Sequence, residues 1–223
     1  GGIRGGKKKM DKFYPRSFNM GVRTDVYQKL EGFSKMRFGE DIDFSTRIFE
    51  NGYKALLFPT AWVWHKRRTD LKKFFKQVHN SGIARINLTK RHPGTLKLVH
   101  LLPMVFTLGV GFLLLLVLIG LLLMASGALV CHSTDCPVAS SFNNCSFLGE
   151  YLIFIGVLPL VLYSLIICVD STLQNKSLGV GLRSIAAAFV QLTGYGSGFI
   201  RAWWQRCVLG RGEFEAFKKN FYK

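Results

Sequence analysis

An α/β domain followed by an α-helical membrane region is the fold class that this sequence predicts. Three observations lead there. Through the first 92 residues, short apolar runs alternate with stretches of helical periodicity. Beyond them, two uncharged stretches are each long enough to cross a bilayer. The charge divides the same way. Residues 1–98 carry 22 Lys and Arg against 8 Asp and Glu, and residues 99–223 carry 8 against 5, so +14 of the net +17 lies in front. A basic front joined to an apolar back predicts a partner that bears phosphates, either anionic headgroups or a diphosphate. No nucleic-acid-binding motif accompanies the charge, so nucleic acid is not among the expected partners.

Residues 1–12 are rich in glycine and lysine and predict a loop. The chain opens on Gly1 without a start or targeting signal, and is expected to be the C-terminal part of a longer protein. Residues 17–22 read as a short strand running into a helix over 24–30, with Thr24 or Asp25 as its cap and Gly32 as its stop. Gly39-Glu40-Asp41 forms an acidic turn, and a second helix follows over 43–51, ended by Gly52. Residues 55–58 and 61–64 read as short buried strands parted by Pro59. Thr69-Asp70 caps a long amphipathic helix over 71–88, with Leu71, Phe74, Phe75, Val78 and Ile86 set against Lys72, Lys73, Lys76 and Arg85. That pattern suits a membrane surface, or packing on its own domain. Arg91-His92-Pro93-Gly94 ends the helix and marks the boundary between a domain of residues 1–92 and a membrane domain of residues 93–223.

The first span is expected over 99–124, roughly 39 Å long at about 1.5 Å per residue, and the second over 151–169, roughly 28 Å. Between them, residues 125–147 read as a polar loop holding Cys131, Cys136 and Cys145, either free or with one disulfide among them. The third apolar segment, 184–200, is diluted by Gln191, Thr193 and the glycine- and serine-rich run 194–198, and is re-entrant, interfacial or spanning. The loop 125–147 has no Lys or Arg, while the tail from Arg201 has six, which sets the basic front and the tail on the cytoplasmic side.

The order of residues over about 13–90 resembles the C-terminal half of the catalytic domain in family 2 glycosyltransferases. The resemblance rests on FNMGVRTDVYQKLEGF and then GEDIDFSTRIFENGYKALLFPTAWVWHKRR. It implies a partial GT-A, Rossmann-like domain and transfer of a sugar from a nucleotide-diphospho-sugar to a hydroxyl or lipid-phosphate acceptor. The setting implied is a bacterial inner membrane, with the catalytic part cytoplasmic. Such a transfer needs a base for the acceptor hydroxyl and positive charge at the departing diphosphate. By the resemblance Asp41 is that base, with helix capping as its alternative, and Glu40 orients the loop or meets the acceptor. His65 is a divalent-metal ligand (Mg or Mn) or a diphosphate contact, or else a hydrogen-bonded histidine at a strand end. Arg67 and Arg68 clamp phosphates or meet lipid headgroups, with Arg68 simply solvated as the alternative. Asn19 and Met20 line the sugar pocket. Asp41-Ile42-Asp43 mimics a metal-binding Asp-x-Asp pair in the wrong context, so the main metal motif is expected upstream. Gln77 keeps the first residue of the Gln-x-x-Arg-Trp motif of polymer-forming members, but Asn80 and Ser81 replace its Arg and Trp, which implies a single addition. The alternative is a non-catalytic membrane scaffold or partner subunit that retains half of such a domain.

Overall fold

The computed structural model describes residues 14–15, 17–36, 38–58, 60–64, 69–130 and 139–213, with side chains excepted at 127–130 and 139–145. Among the described residues there is no strand and no sheet. The α/β expectation is therefore wrong for this chain. Helices account for the architecture: α1 (Thr24–Lys29), α2 (Glu40–Glu50), α3 (Leu71–Arg91), α4 (Leu102–Val130), α5 (Ala139–Asn175) and α6 (Leu178–Trp203).

Each expected strand fails for a reason that can be read locally. A strand exists only by pairing, because its N–H and C=O groups lie across the chain and need a ladder. Residues 17–19 close instead into a 3-10 turn. The 53–58 run alternates half-buried and exposed residues, as an extended chain does, but among the described residues it forms no ladder with another strand. Asn19 of the 17–22 run reaches the 61–64 run through its side chain, Nδ2 donating to the Ala61 carbonyl at 3.2 Å, and not through a backbone ladder. Nor are these runs buried: Leu56, Phe58 and Trp62 are exposed, and Trp64 is 90% exposed.

The chain forms two compact units, residues 1–101 with 197–223, and residues 102–196. The first is built around Val26 of α1, Leu30 just past its end, and Phe44 and Ile48 of α2, with Met20, Val22 and Tyr53 packed against them. Tyr27, Phe33 and Phe44 add a ring cluster with centroids 5.0–6.1 Å apart. Helix α1 begins after Arg23 rather than behind a Thr24 or Asp25 cap, and no side chain caps it. Its end turns through left-handed Glu31 and Gly32. Asp70 caps α3 by accepting from the Lys73 N–H at 3.0 Å. The C-terminal half of α3 supplies core through Ile83, Ala84, Ile86 and Leu88, whereas Leu71 and Phe75 at its start are exposed.

The second unit is three helices. Phe106 of α4, Tyr163 of α5 and Phe189 of α6 meet with ring centroids 5.1–5.7 Å apart. Helices α4 and α5 approach closely because Gly120 and Gly149 face each other. A Cβ on Gly149 would stand 2.8 Å from the Gly120 carbonyl oxygen, so the crossing requires glycine there. Helix α5 starts at Ala139, inside the expected polar loop, and Pro159 sits within it without ending it. It stops where Lys176 adopts a left-handed φ of 50°. Two helices are long and apolar enough to cross a membrane, over Leu98–Ser126 and Ser146–Asn175. Only 6% of the most apolar window of each is buried, unlike the core helix of a soluble protein. Helix α6 begins in this unit, and residues from 197 onward belong to the first unit. Cys168 is a buried free thiol and Cys207 an exposed one; Cys131, Cys136 and the Cys145 side chain lie outside the described residues.

Candidate functional site

The head of α2 carries the carboxylates singled out in the sequence. Gly39 precedes it with φ 87°, a left-handed conformation that favours glycine. A Cβ there would also crowd Ala84 and Leu88 of α3, at 3.3 and 3.2 Å. The helix thus begins at Glu40, three residues earlier than the sequence suggests, and Glu40, Asp41 and Asp43 all fall in its first turn. The positive end of the helix dipole favours negative charge at all three. Asp41 is 7% exposed, and its Oδ1 accepts from the Ile42 N–H at 2.9 Å. The Ser45 hydroxyl donates to the Asp41 carbonyl at 2.7 Å, fixing the turn beneath it.

Asp43 points elsewhere, into a buried charge cluster. It is 2% exposed. Its Oδ2 accepts from Arg47 Nε at 3.0 Å, and its Oδ1 faces His92 Nε2 at 3.0 Å and the Arg91 guanidinium at 4.0 Å. Burial by itself would raise the Asp43 carboxyl. The Ser34 hydroxyl, near it without strict hydrogen-bond geometry, together with His92 and Arg47 outweighs that and holds it below the usual carboxylate range. Arg47 also donates to the Leu30 and Gly32 carbonyls, joining α2 to the turn after α1. The other ring nitrogen of His92 faces Glu50 Oε1 at 3.0 Å. Arg91 grips Glu213 through two parallel bonds of 2.9 Å, which hold its guanidinium further toward the charged form.

The remaining predicted residues are dispersed. Asn19 is exposed and engaged with Ala61, and Met20 packs on the apolar cluster of α1 and α2. Gln77 is exposed on α3. His65, Arg67 and Arg68 lie outside the described residues, so the structure brings together only Glu40 and Asp41 of the expected set. Among the described residues no group of three or more His, Cys, Asp or Glu is placed to hold a metal ion. His92 lies between its two carboxylates rather than converging with them on one point.

Sequence reasoning missed the Asp43–His92 cluster, although part of it was legible. Asp43, Arg47 and Glu50 stand at i, i+4 and i+7, one stripe of a helix. In the sequence His92 reads only as part of a helix end, and nothing local marks Glu213. No protein-family model, curated protein or solved structure matches the chain.

Proposed function

We propose that this chain is the membrane-anchored part of a nonprocessive glycosyltransferase. It moves a sugar from a nucleotide-diphospho-sugar to a hydroxyl or lipid-phosphate acceptor at the cytoplasmic face of a bacterial inner membrane, in the making of envelope glycan or glycolipid. Asp41 takes the proton of the acceptor hydroxyl, Glu40 orients the loop or meets the acceptor, and His65, Arg67 and Arg68 meet the diphosphate. The divalent metal stays an expectation carried by the resemblance, with His65 its one assigned ligand in this chain.

The observation that carries this reading is the head of α2. A nearly buried carboxylate sits at the positive end of a helix, behind a glycine that both its φ and its neighbours require. The helix dipole at that end complements negative charge, and the position suits a residue that is to take a proton. The two long, largely unburied apolar helices support attachment to a membrane. The test is Asp41→Asn in the native gene product. Turnover should fall by about 10²–10⁴-fold with expression unchanged; wild-type turnover would remove Asp41 from the chemistry.

A second reading is favoured by one observation. Among the described residues there is no sheet, and so no strand ends over which a nucleotide would bind. A membrane scaffold or partner subunit needs none. Calorimetric titration of the native gene product with nucleotide-diphospho-sugars separates the two, because a scaffold binds none of them.

A further inference from the structure

We infer that His92 is a positioning residue, a doubly donating imidazolium that clasps the two ends of α2 and so fixes where the helix presents Asp41. This rests on the catalytic reading of Asp41 for its purpose, though not for its geometry. Glu50 is the last residue of α2 and Asp43 lies in its first turn. One imidazole reaches both, Nε2 to Asp43 Oδ1 and Nδ1 to Glu50 Oε1, each at 3.0 Å. Ionised carboxylates only accept, so both contacts are hydrogen bonds only when both ring nitrogens carry protons.

The surroundings fit that charge. The groups facing the ring are Asp43 and Glu50 from α2, with Arg47 behind Asp43. From α3, Arg91 approaches the same Asp43 oxygen at 4.0 Å but is drawn away by its fork to Glu213. Arg206 approaches Glu213 at 3.8 Å. The cluster is thus an alternation of charges in which the imidazolium takes a cation's place. His92 itself is anchored as the residue ending α3, its N–H bonded to the Leu88 carbonyl at 2.8 Å and its own carbonyl accepting from Thr95 Oγ1 at 2.8 Å. Losing one ring proton would leave a nitrogen lone pair facing a carboxylate, and that end of the clasp would open.

The test uses the full chain in lipid nanodiscs with ¹⁵N-labelled histidine, the His92 signals being assigned by difference from His92→Asn. Both ring nitrogens of His92 should read as protonated at about pH 7, and Glu50→Gln is the variant that removes one end of the clasp. Glu50 is 53% exposed, so this variant removes a charge without opening a cavity. Amide exchange from Asp43 to Ile48 should speed up roughly three- to tenfold in Glu50→Gln. One unprotonated nitrogen at about pH 7, or unchanged exchange, overturns the clasp. Absence of sugar transfer by the native gene product is a separate failure. It removes the catalytic role of Asp41 and leaves the ring-nitrogen result as it is.

Discussion

Asp43→Asn is the sharpest perturbation of the first unit. The carboxylate is 2% exposed and is held by two side chains, His92 at 8% exposed and the Arg47 guanidinium at 24%. Removing one partner from a buried ion pair costs about 3–5 kcal/mol, most of it from the charge left behind. Two features lower that figure. Arg47 keeps its bonds to the Leu30 and Gly32 carbonyls, and asparagine keeps the shape and one acceptor oxygen. We therefore expect about 2 kcal/mol for Asp43→Asn, and more for Asp43→Ala, which also leaves a void. Unfolding of the whole chain is a poor probe, because apolar helices in lipid report on their own contacts. Native-state hydrogen exchange reads the unit directly. Amides of α2 and of α3 from residue 83 onward should exchange about 30-fold faster, the factor that about 2 kcal/mol implies. A change below about twofold would mean that Asp43 is not holding the cationic cluster together. Combining Asp43→Asn with His92→Asn should cost less than the sum of the two, since each removes a partner of the other.

Four further outcomes follow from the same contacts. The Asp43 carboxyl is held low in the fold, so its stabilisation is complete above the ordinary value of about 4 and is lost as the pH falls below it. Exchange in α2 should accelerate on that acid limb in the wild type, with a flatter response in Asp43→Asn. Gly39→Ala forces a side chain into a left-handed conformation against Ala84 and Leu88, and should weaken the α2–α3 contact by about 1–2 kcal/mol, read by the same exchange. Gly149→Ala places a methyl 2.8 Å from the Gly120 carbonyl oxygen; a loss of about 1–3 kcal/mol should appear as weaker disulfide trapping of cysteines engineered across α4 and α5. In a variant keeping Cys207 as its only cysteine, an impermeant maleimide should label inside-out vesicles and spare right-side-out ones; the reverse places the C-terminal segment on the far side.

What the sequence disclosed depended on how far each signal reaches along the chain. Helices are local, since their backbone bonds close within four residues, and α3 falls almost where its Asp70 cap and its period of apolar residues put it. The two apolar spans are local in the same sense, being set by length and composition. Strands are not. The runs at 17–22, 55–58 and 61–64 have strand composition, yet a strand is a property of two segments, and among the described residues none of these forms a strand ladder with another. The same division separates the site residues. The acidic head of α2 announces itself through neighbours in sequence, Gly39, Glu40 and Asp41. The cluster at Asp43 draws on Ser34, His92 and, through Arg91, Glu213, up to 170 positions away, and only folding brings them together. Asp41 and Asp43 are two residues apart, which on a helix turns them to different sides. One therefore stays at the helix head as the candidate base while the other is consumed in holding the helix. A sequence reading that treats the pair as one motif assigns both to chemistry; the fold divides the work between them.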